Sequence, residues 1–165
     1  MSSAHFLRHI RDWFGPKTLK FILNIWPPLA GSGIRVTHIS PDFKSVDVTL
    51  KLHWYNKNYV GVQYGGSLYS MTDPFYMLIL LKNLGEDYII WDKAAKIDFK
   101  KPGTGTVRAH FEMSDDELRD IAAKANESEK YIFDKSIDIL NDENIVVANV
   151  VRTLYVKRKN KVTID

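Results

Sequence analysis

Gly66-Ser-Leu-Tyr-Ser-Met-Thr-Asp73-Pro74-Phe-Tyr-Met-Leu-Ile-Leu-Leu-Lys-Asn-Leu84-Gly85 decides the fold. Apolar side chains fall all round a helix drawn over residues 66–84, the pattern of a helix buried on every side. Gly85 supplies its stop. Pro74 cannot lie inside an undisturbed helix, because it lacks the N–H and crowds the preceding turn. Two accounts stay open. The helix kinks at Pro74, or a first turn ends and a second helix starts with Asp73 as N-cap and Pro74 in its first position.

Working outward, residues 3–26 read as helical, with Phe6, Ile10, Trp13 and Phe14 on one face and Phe21, Ile22 and Ile25 continuing an apolar surface. Gly15-Pro16 divides this stretch into two helices and Pro27-Pro28 ends the second. Residues 34–39 and 46–54 alternate apolar with polar and read as strands with one face buried. Four further strand-like runs follow over residues 88–99, 106–113, 131–140 and 145–156. Lys101-Pro-Gly-Thr-Gly105 and Asn141-Asp-Glu-Asn144 read as hairpin turns between neighbouring strands. Ser114-Asp-Asp-Glu117 is a capping-box pattern that opens a short helix through Ala125. Antiparallel strands that must each bury one face will curl around the central helix, which predicts an α+β architecture. No repeat or linker interrupts the chain. One domain over residues 1–165 is expected, with a helical extension over 1–28 and a core over about 30–158.

At 165 residues, with 45% apolar and 26% charged side chains, the chain has the composition of one ordinary globular domain with a full core. There is no cysteine, which excludes disulfides, thiolate catalysis and cysteine-ligated metal sites. The apolar run at residues 19–25 is short, lies late and is followed by no small-residue cleavage site, and the longest apolar run, 74–81, is far too short to span a bilayer. A cytoplasmic location is expected. The net charge of +3 gathers at the two ends, at Arg8, Arg11, Lys17 and Lys20 and at Arg152, Lys157, Arg158, Lys159 and Lys161. Solvated termini account for both clusters. The second lacks interleaved aromatics and any nucleic-acid motif, so no nucleic-acid partner is expected.

The chemistry concentrates at residues 58–73. Paired Gly65-Gly66 let backbone approach a ligand closely, and if a helix starts there its first N–H groups favour negative charge. Asp73 follows Gly66 by seven residues, about two helical turns, which predicts that it shares a face with the glycine end. A carboxylate near N–H donors suits attack on an acyl carbon with stabilisation of the oxyanion.

The element order resembles the hotdog fold, and the pattern Asn58, then Tyr64-Gly65-Gly66, then Asp73 is similar to that of PaaI-like acyl-CoA thioesterases. There an asparagine precedes His-Gly-Gly, and an aspartate lies at the same distance beyond. Gly66-Ser-Leu-Tyr-Ser-Met-Thr-Asp-Pro-Phe-Tyr, Trp91-Asp-Lys-Ala-Ala-Lys-Ile-Asp-Phe and Lys101-Pro-Gly-Thr-Gly-Thr-Val-Arg resemble the DUF4442 group of thioesterase-like hotdog proteins. The resemblance implies an acyl-CoA or related thioester hydrolase that works as a dimer or tetramer, with coenzyme A entering only as part of the substrate. It implies Asp73 as general base or nucleophile, Gly65 and Gly66 N–H groups as oxyanion donors, and Asn58 as a positioning group for the carbonyl or a water. Asp73 of one subunit would face the glycine turn of the other. Tyr64 departs from the pattern: a phenol can donate a hydrogen bond but is a poor base near neutral pH.

The remaining candidates have plainer accounts. Ser67 lacks the Gly-x-Ser-x-Gly elbow of a nucleophile and reads as a helix cap. Leu68, Met71, Phe75 and Tyr76 would line an acyl chain or fill the core. Lys100, Lys101 and Arg108 flank a glycine-rich turn and would meet coenzyme A phosphates or form a charged hairpin end. Asp92 and Asp98, six apart on one strand, are expected on one face, ion-paired in solvent with Lys93 and Lys96. His38, His53 and His110 are expected in half-buried strand positions. His5 and His9 share a helical face but suggest no third ligand, so no metal site is expected. Two other functions compete with hydrolysis: a non-catalytic acyl-CoA or fatty-acid binder, motivated by Tyr64, and a protein making peripheral membrane contact through residues 3–26.

Overall fold

The computed structural model describes residues 14–159. Helix α1 (Pro16–Ile25) and the short α2 (Pro27–Ala30) precede strands β1 (Ile34–Ile39) and β2 (Ser45–Lys51). Helices α3 (Gly65–Ser70) and α4 (Phe75–Leu84) follow, then β3 (Tyr88–Phe99), β4 (Thr106–Glu112), α5 (Asp115–Glu127), β5 (Tyr131–Leu140) and β6 (Val146–Arg158). Residues 3–13, with Phe6, Ile10, Trp13 and both His5 and His9, lie outside the described residues.

The six strands form one antiparallel sheet in the order β1-β2-β4-β5-β6-β3. Its apolar face closes on α4. Phe75, Ile79 and Leu80 of α4 are buried against Val48 and Leu50 of β2, Val107 and Phe111 of β4, and Val150 and Leu154 of β6, in one continuous core. The Phe75 and Phe111 rings lie 5.0 Å apart and Tyr76 meets Phe111 edge-on at 5.1 Å. The Tyr76 hydroxyl donates to the Ser136 carbonyl at 3.1 Å, and burial pushes its pKa up to about 12. This is the helix wrapped by a sheet that the element order predicts. β4 and β5 pair only at Arg108↔Leu140, so the sheet is most open along that seam.

Four expectations change. Of the two accounts for residues 66–84 the break holds, but with another cap: α3 ends at Ser70, and Pro74, with φ −109° and no N–H to give, takes the cap position ahead of α4 in place of Asp73. Asp73 therefore makes no cap bond, and the two-turn spacing from Gly66 does not apply. Lys101–Gly105 is not a hairpin. β3 pairs with β6, not with β4, so this segment crosses from one edge of the sheet to its middle, and the Lys100 and Lys101 N–H groups donate to Val147 O. The second strand stops at Lys51 rather than residue 54, because the Gly105 carbonyl takes the Leu52 N–H and Asn56 Oδ1 takes that of His53. Finally, α1 buries Leu19 and Leu23, while Phe21 and Ile25 face solvent. Among the described residues no helix is long and apolar enough to cross a membrane.

Candidate active site

The loop from β2 to α3 is built on two amides. Buried Asn56 donates to Ser32 O and Lys51 O and accepts from His53 N. Buried Gln63 donates to Leu50 O and Gly105 O at 3.1 Å each. These bonds tie the loop to β2 and fix where the next residues emerge. Asn58 closes the tip of the loop: its Oδ1 accepts from Val60 N and Val62 N, both at 3.1 Å.

Tyr64 then caps α3 from an extended conformation, without a side-chain bond. The first intrahelical bond is Ser67 N to Tyr64 O at 2.9 Å. The Gly65 and Gly66 N–H groups precede it, so the helix offers them no acceptor. Tyr64, not Ser67, occupies the cap position, and Ser67 is buried. Both glycines permit close approach by side chains: a Cβ on Gly65 would stand 2.9 Å from Phe99 Cζ, and one on Gly66 would stand 2.4 Å from Tyr64 Cε1.

The candidate residues divide between two depressions on either side of the glycine turn. One, of about 360 Å3, is lined by Tyr55, Asn56, Tyr64, Gly66, Ser67 and Ser70. The other, of about 450 Å3, is lined by Asn58, Gly65, Leu68, Phe99, Lys100 and Lys101. Lys100 is ion-paired with Asp98. Arg108 lines neither depression; it bonds Asn144 and lies 3.9 Å from Asp142. Met71, Phe75 and Tyr76 are core residues.

Asp73 also lies outside both depressions and belongs to a third group. Its Oδ2 is 3.1 Å from Nη2 of Arg152, and the same nitrogen contacts Asp92 Oδ2. The Arg152 side chain is 2% exposed, that of Asp92 17% and that of Asp73 54%. Burial pushes the Asp92 carboxyl above the usual carboxylate range, against the pull of Arg152. For Arg152 burial works against the charged form, and Asp92 and Asp73 more than offset it. The expected solvated pairing of Asp92 with lysines is thereby corrected. So is the shared face of Asp92 and Asp98: the register of β3 shifts between Asp92 and Ala94, and the extra residue sends Asp98 to the opposite face.

Arg152 is the site residue that the sequence reading missed, having been assigned to a solvated basic end. The signal was present, since Val150, Arg152, Leu154 and Val156 follow period two and place the arginine on the buried face. The histidines do not join Asp73. His38 and His110 are exposed on the outer face of the sheet, and His110 Nδ1 lies 2.6 Å from Asp47 Oδ1. His53 stacks on Tyr55 with ring centroids 5.2 Å apart.

A six-stranded antiparallel sheet wrapped on α4 defines a hotdog-fold protein. Solved structures share the fold at low sequence identity. A Pseudomonas aeruginosa protein of unknown function, described as a probable thioesterase, has TM-score 0.70 and 17% identity over 96% of this chain and 97% of its own. A thioesterase from Haemophilus influenzae has TM-score 0.65 and 16% identity over 93% and 97%. The PaaI protein of Escherichia coli, from the phenylacetic acid degradation operon, has TM-score 0.57 and 18% identity over 94% and 99%. A search of curated proteins finds no match. The chain belongs to the DUF4442 family, a domain of unknown function, which matches residues 16–156.

Proposed function

We propose that the protein hydrolyses an acyl thioester, with acyl-CoA the leading substrate class. The carrying observation is the placement of a half-exposed carboxylate, Asp73, on a buried guanidinium, together with a glycine turn whose N–H groups have no helical acceptor. The thioester carbonyl would sit on the Gly65 and Gly66 N–H groups, which meet the charge that develops on its oxygen. Asp73 would attack the acyl carbon, or take a proton from the water that does, and the thiolate leaves; on the first route water then cleaves the acyl-Asp73 anhydride and frees the acid and the carboxylate. Asn58 and Tyr64 position the carbonyl or water by hydrogen bonds. Ser67 and Leu68 bound the acyl end, and Lys100 and Lys101 bind phosphates of coenzyme A, which enters as substrate and not as a resident cofactor; Arg108, turned to Asn144 and Asp142, lies off that depression. The thioesterase descriptions of the similar Pseudomonas and Haemophilus proteins support this reading.

Asp73 lines neither of the depressions beside the glycine turn, and the reading therefore calls for a second copy. β3 is an edge strand of 12 residues with Trp91 and Phe99 exposed, and it carries Asp92 beside Arg152. Pairing of two β3 edges would bring Asp73 of one subunit towards the glycine turn of the other in a homodimer, which pairs further into a tetramer or stays as it is. A cytoplasmic location fits such a substrate.

Thiol release from acyl-CoAs of short to long chain, wild type against Asp73→Ala, tests the proposal. Release by the wild type that falls at least about 100-fold in a folded variant is the expected result. Full activity in Asp73→Ala overturns the mechanism. A second reading has its own observation: Tyr64 stands where the thioesterase pattern has histidine, and the residue is 57% exposed. A folded wild type that releases no thiol but binds acyl-CoA by calorimetry would establish an acyl-binding protein instead.

A further inference from the structure

Arg152 heads the fully buried side chains in volume, and a buried guanidinium is costly unless it is well paired. Its pairing is uneven. Nη2 serves both Asp92 and Asp73, whereas Nε and Nη1, and Oδ1 of Asp92, are buried with no hydrogen-bond partner among the described residues. The Tyr69 ring, 5.4 Å from the guanidinium carbon, lies against it from α3. An ion-pair cluster kept only for stability gains little over apolar residues of the same volume, and one with orphaned donors gains less. The direction of the bonds shows what the arrangement achieves. Asp92 anchors the guanidinium from β3, and the guanidinium reaches the one exposed carboxylate of the three-residue group through a single oxygen. An arginine stays charged at any working pH, so the anchor is permanent.

We propose that Arg152 is the positioning residue for Asp73. Held by Asp92, it fixes Oδ2 of Asp73 and leaves Oδ1 as the atom presented to the acyl carbon or the water. The kinetic half of this statement rests on the hydrolase reading; the coupling of Asp73 to Arg152 does not.

The test uses the full chain and two arms. In the first, Asp73→Asn and Arg152→Met are combined in an Asp92→Asn background, which removes the buried countercharge, and unfolding in urea gives a double-mutant cycle. The expected coupling is about fivefold in the unfolding equilibrium. A coupling below about twofold overturns the proposal whether or not the protein is an enzyme. In the second arm, Asp92→Asn/Arg152→Met is compared with the wild type on the best thioester. The expectation is kcat lower by about 10- to 100-fold with KM within about twofold, and partial recovery in Arg152→Lys. Wild-type kcat in the double variant overturns the proposal. If the wild type turns over no thioester, the hydrolase reading fails and the first arm still decides. Should Arg152→Met variants not fold, the neutral Arg152→Gln replaces it in both arms, with the same criteria of coupling and of a kcat loss at constant KM.

Discussion

Gly33 holds φ at +81°, and a Cβ placed there would stand 2.6 Å from Asn56 Nδ2. Backbone conformation and close approach both demand glycine at this position. Gly33→Ala is therefore expected to lower stability by at least about 1–2 kcal/mol, read by urea denaturation. Gly66 makes an instructive contrast. The three atoms nearest its added Cβ all belong to the Tyr64 ring, the far end of a side chain that can swing into solvent. Gly66→Ala should unfold within about 1 kcal/mol of the wild type. In the hydrolase reading it should nevertheless lose most activity, because the new methyl stands in the glycine turn and drives Tyr64 out of place. A melting-point loss that matches the activity loss would refute that separation. The residue pattern made the glycine pair and Asp73 visible. Arg152 stayed hidden because its charge was weighed ahead of its phase in the strand, and Asn56 and Gln63 because a buried amide in a loop has no sequence signature distinct from an exposed one.

At the scale of elements, α5 behaves as its capping box predicts. Ser114 Oγ accepts from Glu117 N at 3.2 Å and Glu117 Oε2 accepts from Ser114 N at 2.9 Å. Ser114→Ala should cost about 1 kcal/mol by denaturant unfolding. The β2–β4 pair carries a pH dependence. The hydrogen bond to Asp47 raises the pKa of His110 above its ordinary 6.5, with burial opposing and Glu112 assisting. Because the folded value is the higher one, this contribution is complete below about 6.5 and is lost as pH rises through the folded pKa. His110 is largely exposed, so screening holds the effect to no more than about 1 kcal/mol. Stability curves should show a small decline above pH 6.5 that Asp47→Asn removes; an unchanged slope in that variant would assign the decline elsewhere. Local patterns served well where one element closes on itself, as in this helix and in the Asn141–Asn144 hairpin. They failed where a partner lies far along the chain. The turn at Lys101–Gly105 has hairpin chemistry, yet β6 takes the place beside β3.

For the whole molecule, the free edge of β3 is the feature with the largest consequence. Sedimentation is expected to give at least twice the 19.0 kDa of the chain. Trp91→Lys, a charge on the exposed edge strand, should shift the mass towards one chain and lower thioester turnover in parallel. Trp91 also stacks on Tyr155 with centroids 5.4 Å apart, so its fold is to be checked by circular dichroism first. A monomeric wild type that remains fully active would show that the site needs no second subunit.

The order of helices and strands, the buried α4 and the glycine turn ahead of Asp73 were determined by sequence alone. Each depends on periodicity, on glycine and proline stereochemistry, or on a short motif, all of which act within a few residues. Tertiary structure decided the rest: the place of β3 at the sheet edge, the break between α3 and α4 as it is built, the bulge that parts Asp92 from Asp98, and the meeting of Asp73 with Arg152, 79 positions further along the chain. These depend on which surfaces the core brings together, and a buried charge finds its partners only after that core has closed.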